Sequence, residues 1–136
     1  MLQLAYISSS RTPIDQPLLD EILQVSRRNN VRHDVTGLLV AGGKRFLQVL
    51  EGPDQSVLRT YARIEADGRH RGFVLLSCSP VKERSFGTWS MAYEQGGASN
   101  EDDQLETAVA KLIEGLEDRN LRAQFSGFAK LHSKAA

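Results

Sequence analysis

Several side chains in this sequence place polar or aromatic groups where a folded domain normally puts apolar core. Tyr6 sits within Leu2-Gln3-Leu4-Ala5-Tyr6-Ile7, and Gln48 interrupts the apolar run Phe46-Leu47-Gln48-Val49-Leu50. Asn29-Asn30 close a helical stretch, and Trp89-Ser90-Met91 lie in a late strand. A buried phenol or carboxamide needs hydrogen-bond partners, or it costs free energy. Several such groups converging on one core point to a polar guest held inside the fold. The chemistry on offer is binding. A Gly-rich phosphate loop, a nucleophile elbow and paired acid-base carboxylates are all missing, so the chain does not read as an enzyme.

Each residue also has a plainer role. Tyr6 shares a strand face with Leu2 and Leu4, where a core tyrosine can satisfy its hydroxyl on a backbone carbonyl. Gln48 is more telling. It shares a face with Phe46 and Leu50, in a strand where a long amide is seldom used for packing, and it can both donate and accept. Ser26, Asn29 and Asn30 follow Ile22 by four, seven and eight residues, and so stay near one side of a helix. A helix cap explains one of the two asparagines without any ligand. Ile64 and Asp67 end a second helix and are followed by Arg69 and His70, which is either an exposed helix terminus or the rim of a site. Trp89 and Met91 alternate with Tyr93 on one strand face, a pattern that usually means core. No metal site is expected, since His70 has no cysteine or second histidine at ligand spacing.

The elements that position these groups follow from periodicity. Leu2 to Ser8 reads as strand one. Asp15-Gln16-Pro17 starts helix one, which presents Leu18, Leu19, Ile22, Leu23 and Val25 and runs to about Asn30. Thr36 to Ala41 reads as strand two, Gly42-Gly43-Lys44 as a tight turn, and Arg45 to Glu51 as strand three. Asp54 reads as the N-cap of helix two, with apolar positions Val57, Leu58, Tyr61, Ala62 and Ile64. Strand four follows Gly72, from Phe73 to Ser79, and strand five runs from Thr88 to Glu94. The order βαββαββ predicts an α+β, ferredoxin-like sheet with both helices on one face and strands one and three as central neighbours. Tyr6 and Gln48 then lie side by side. Beyond the polar linker 95–100, Leu105, Val109, Leu112, Ile113 and Leu116 make one helical stripe, and Leu121, Phe125, Phe128 and Leu131 a second. These C-terminal helices either cover the open face of the sheet or bind another protein.

Length and composition bound the rest. At 136 residues the chain supports one domain with a real core. Seventeen basic residues balance seventeen acidic ones, and no basic stripe marks a nucleic-acid binder. No apolar run approaches a membrane span, and the first residues do not read as a signal peptide. The lone Cys78 excludes an internal disulfide and suits a reducing cytoplasm, so a cytoplasmic protein is expected.

Taken together, Tyr6, Ser26-Arg27-Arg28-Asn29-Asn30, Thr36-Gly37-Leu38-Leu39 and Phe46-Leu47-Gln48-Val49-Leu50-Glu51-Gly52-Pro53 resemble the BLUF family, blue-light sensors that use FAD. The resemblance continues through Asp67-Gly68-Arg69-His70 and Arg84-Ser85-Phe86-Gly87-Thr88-Trp89-Ser90-Met91 and covers about residues 1 to 95. Each motif alone is weak; all of them in order are specific. The resemblance implies non-covalent FAD with its ring between Ile22 and Ile64. Asn30 would bond the ring edge and Asn29 the ribityl or phosphate portion, with Asp67, Arg69 and His70 on the polar rim. Tyr6, Ser26, Phe46 and Gln48 complete the implied contacts. Light would drive electron and proton movement from Tyr6 and a rearrangement of Gln48, by rotation, tautomerisation or both, passed on through the strand bearing Trp89 and Met91.

On this reading residues 1–95 form the flavin-binding domain, and residues 96–136 a linker and helical extension. The chain is expected to be a short, stand-alone receptor that forms a homo-oligomer and acts on a separate effector or regulatory protein. The alternatives are a BLUF-like interaction module with little light response and a small ferredoxin-like enzyme of the acylphosphatase type. The missing phosphate loop argues against the second.

Overall fold

Apolar residues alternating with a period of two build a sheet whose faces bury different sets of side chains. The computed structural model describes residues 1–42, 44–84, 92–95 and 119–133. Its strands are β1 (Leu2–Ser10), β2 (Thr36–Gly42), β3 (Arg45–Gly52), β4 (His70–Pro80) and β5 (Ala92–Gln95). Its helices are α1 (Gln16–His33), α2 (Asp54–Glu65) and α3 (Arg119–Ser133). The strand order is β4-β1-β3-β2-β5. All pairs are antiparallel except β2 with β5, which is parallel. This is the expected ferredoxin-like sheet, with β1 and β3 as central neighbours.

One face carries Leu4, Tyr6, Leu39, Ala41, Phe46 and Leu50, and against it pack Leu19, Ile22 and Leu23 of α1 and Val57 of α2. The opposite face carries Ala5, Leu38, Val40, Leu47 and Val49, and is covered by Phe125 and Phe128 of α3. Phe125 and Phe128 of the second C-terminal stripe therefore serve as a cover for the open face. The first stripe, Leu105 to Leu116, lies outside the described residues. The close approach of β2 to β3 requires Gly37, because a Cβ there would stand 2.1 Å from the Val49 carbonyl oxygen. No helix among the described residues is long and apolar enough to cross a membrane.

Several local expectations are corrected. Asp54 does not cap α2. Pro53 holds the N-cap position without a side-chain bond, and Asp54 is the first helical residue, 3.7 Å from the N-terminal ammonium. Leu58 is exposed, because it lies about 100° round the helix from the buried Val57, and Thr60 takes the inward position instead. Ala62 is exposed as well. Helix α1 does start where expected, since the Asp15 carboxylate accepts from the Leu18 N–H at 3.0 Å. It runs past Asn30 to His33, and stops at Asp34 in the left-handed conformation (φ 59°). Strand β1 extends to Ser10, and β4 begins at His70 rather than Phe73. Strand β5 is described from Ala92, so Trp89 and Met91 lie outside the described residues. Cys78 is an exposed thiol on β4.

Candidate functional site

The site begins with a residue pair fixed by strand register. Tyr6 on β1 and Gln48 on β3 are direct cross-strand partners. Both project to the α1/α2 face and both are buried. The Tyr6 hydroxyl donates a hydrogen bond to Gln48 Oε1. Burial pushes the Tyr6 phenol well above its ordinary range, and the neighbouring Tyr61 and the Asp67 and Glu65 carboxylates add to the effect. Tyr6 is thus held as a neutral donor. Its ring is packed by Tyr61 at 5.0 Å and Phe73 at 5.4 Å between centroids.

Beside this pair a cleft lies between α1 and α2, about 530 Å³ including the part open to solvent. Its apolar wall comes from Ile22 and Val25 of α1, Leu39 of β2 and Ile64 of α2. The carboxamides of Asn29, Asn30 and Gln48 supply its polar lining. Helical spacing explains the α1 side, because Ile22, Ser26, Asn29 and Asn30 lie on one face. Asn30 is fully buried beneath the last turn, and its carbonyl accepts from the Val35 N–H at 2.8 Å.

The rim is charged. Arg69 grips Asp67 through Nε, at 3.0 Å from each carboxylate oxygen, and through Nη2 at 2.6 Å. Its Nη1 reaches Glu21 of α1 at 2.8 Å, so one guanidinium links the α2–β4 turn to the opposite helix. The bonds from Arg69 hold the Asp67 carboxyl below its ordinary value. His70 lies under the rim, its Nδ1 3.3 Å from Ser8 Oγ and its ring 5.0 Å from that of Phe46. Burial lowers its pKa, partly offset by Asp67.

Nine of the expected residues line the cleft: Ile22, Ser26, Asn29, Asn30, Gln48, Ile64, Asp67, Arg69 and His70. Tyr6 and Phe46 do not line it, and stand behind Gln48 and His70 respectively. Among the lining residues not anticipated are Leu39, Thr60 and Arg63. Thr60 precedes Ile64 by one turn, and Leu39 is the cross-strand partner of Gln48, so spacing and register held the signal for both.

The arrangement suits a flat conjugated ring. Apolar side chains from facing helices can take its faces, carboxamides can match an edge that both donates and accepts, and Arg63, which also lines the cleft, supplies a cation for an anionic tail.

Comparison with known proteins agrees. A family model described as "BLUF: Sensors of blue-light using FAD" matches residues 1–92. The chain is 34% identical over 99 residues to the blue light- and temperature-regulated antirepressor BluF of Escherichia coli, covering 71% of this chain and 25% of that protein. It is 33% identical over 89 residues to the photoactivated adenylate cyclase subunit beta of Euglena gracilis, covering 65% of this chain and 10% of that one. The chain therefore spans a quarter or less of these relatives' lengths. Among solved structures, the dark state of the BLUF protein BlrB superposes with a TM-score of 0.70 at 29% identity, covering 93% of this chain and 96% of the other. With the family match extending over most of its length, its glutamine and asparagines lining one cleft and its tyrosine bonded to that glutamine, this chain belongs to the BLUF family of blue-light sensors that use FAD.

Proposed function

We propose that the chain is a blue-light receptor that holds FAD non-covalently in the cleft between α1 and α2, with Tyr6 and Gln48 as its switch. The observation that carries this reading is the hydrogen bond from Tyr6 to a Gln48 that itself lines the cleft. Ile22 and Ile64 sandwich the ring, Asn30 and Gln48 bond its edge, and Asn29 and Ser26 serve the chain beyond it. Asp67, Arg69 and His70 close the rim.

When bound, FAD supplies the absorption of blue light and an excited state that accepts an electron. Tyr6 would be the residue to supply that electron, and its hydroxyl, which already donates to Gln48 Oε1, would pass its proton along that bond. Return of electron and proton restores the phenol. The Gln48 carboxamide is left rearranged, by rotation, tautomerisation or both, and presents a different atom to the cleft. Leu47 and Val49 flank Gln48 on β3 and point through the sheet into the cluster beneath Phe125 and Phe128. A shift at Gln48 is thereby felt at α3, and through it at an effector protein or a second copy of the chain. In this reading residues 1–95 are the sensor and residues 96–136 transmit its state; Trp89 and Met91 belong to the same route.

The test is cofactor content. The purified protein, denatured and chromatographed, is expected to release FAD unmodified. Well-folded protein that carries no flavin after reconstitution contradicts the reading.

A further inference from the structure

Arg84 lies outside the cleft, yet it joins the two elements that carry the cleft's buried carboxamides. Its Nη2 donates to the Asp34 carbonyl at 2.9 Å and pairs with the Asp34 carboxylate at 2.9 Å. Its Nη1 donates to Thr36 Oγ1 at 2.8 Å and to the Glu51 carbonyl at 3.2 Å. Asp34 terminates α1, and among the described residues it is the only non-glycine at positive φ. Its N–H turns back to the carbonyls of Asn30 and Val31, and the next amide, Val35, bonds the Asn30 carbonyl at 2.8 Å. The turn that Arg84 grips is therefore the turn that seats Asn30.

The other hand of the guanidinium holds the end of β3. Glu51 is fully buried, with its carboxylate oxygens 3.2 Å from Gln3 Nε2 and 3.2 Å from Thr36 Oγ1. Gln48 is three residues back along the same strand. The two ends meet closely at Gly52, where a Cβ would lie 2.6 Å from the Asp34 carbonyl oxygen. A cation at the C-terminal end of α1 also complements the partial negative charge there. An exposed Arg–Asp pair by itself contributes little. A planar fork that spans two backbone carbonyls, a hydroxyl and a carboxylate on the end of α1, β2 and β3 fixes their relative position, which a lysine cannot reproduce.

We infer that Arg84 is a positioning residue for Asn30 and Gln48, holding the last turn of α1 against the end of β3 so that the two carboxamides keep their spacing across the cleft. The inference rests on the reading of the cleft as the flavin site. Hydrogen bonds weaken steeply once distance or angle drifts, so loosening this joint is felt at the ligand although Arg84 does not touch it.

The experiment compares the full chain with Arg84→Ala and Arg84→Lys in two ways. In flavin-free protein, amide hydrogen exchange at Asp34 and Val35 is expected to accelerate about tenfold in Arg84→Ala, with α2 amides unchanged, as loss of a charge-assisted bond implies. Arg84→Lys falls between the two, and it decides the matter if the alanine variant does not fold. In a titration with FAD, Arg84→Ala binds about tenfold more weakly than the parent at that same scale. Unchanged exchange at Asp34 and Val35, acceleration spread evenly through α2, or undiminished FAD affinity each overturns the inference. A parent protein that binds no FAD contradicts the flavin reading instead, and that result is visible separately because the exchange comparison needs no flavin.

Discussion

The Tyr6 hydroxyl and the Gln48 amide oxygen are joined by a hydrogen bond across the β1–β3 pair, with both side chains buried on the face toward α1 and α2. Each residue thus has the other as a partner on one side, and Gln48 has the cleft on the other. Changing Gln48→Leu removes every bond the amide can make while roughly keeping its bulk. Tyr6→Phe removes only the hydroxyl. Both variants are expected to retain FAD and lose the light-induced shift of its absorption band. A normal, reversible shift in either one excludes that residue from the switch.

Asn30 is the most deeply buried polar residue of α1 and lines the cleft. Asn30→Ala leaves a buried ligand edge without its partner, at a cost of about 1 to 3 kcal/mol in FAD binding. Fluorescence titration of the variant against the parent measures it. Equal affinity together with an unchanged flavin spectrum would leave Asn30 with its backbone role at the helix end alone.

Much of the site was legible because it is local. Alternation in β1 and β3 put Tyr6 and Gln48 on one face, and βαββαββ order made them neighbours. Helical spacing gathered Ile22, Ser26, Asn29 and Asn30. What escaped depends on tertiary contact. His70 reads as loop beside Gly68 and Arg69, yet it opens β4, since its ring is buried against Phe46 and Phe73. Thr60 looks like a polar surface residue, but its Oγ1 satisfies itself on the Ser56 carbonyl at 2.7 Å and can face inward. The end of α1 carries no glycine signal, because Asp34 takes the left-handed position under the grip of Arg84.

Stability should depend on pH through His70. Burial depresses its folded pKa below the ordinary 6.5, so in the window just under that value the unfolded chain binds the proton more readily. Stability is then fully present above about 6.5 and falls as pH drops through the depressed value. Asp67, held below its ordinary 3.8 chiefly by Arg69, adds a second loss in stronger acid. Urea denaturation of flavin-free protein across this range should show the first decline, and His70→Gln should flatten it. An identical decline in the variant assigns the effect to another group.

The face opposite the cleft depends on α3. Phe125 is fully buried against Ala5, Leu38, Val40, Leu47 and Val49. Phe125→Ala should cost about 3 to 5 kcal/mol through lost burial and an unfilled cavity. Truncation after Gly97 removes the whole cover, and should expose an apolar face that binds a hydrophobic dye or drives self-association. Denaturant midpoints and light scattering check both. A loss below about 1 kcal/mol, the size of an ordinary substitution, would mean that α3 contributes little to this face.

Light is expected to rearrange hydrogen bonds around a bound flavin without net chemistry, and a light-minus-dark absorption spectrum of the purified full chain checks this. Blue light is expected to shift the flavin bands with little loss of intensity, and the change should reverse fully in darkness over repeated cycles. Bound flavin whose spectrum is unmoved by light, or is bleached without recovery, contradicts it.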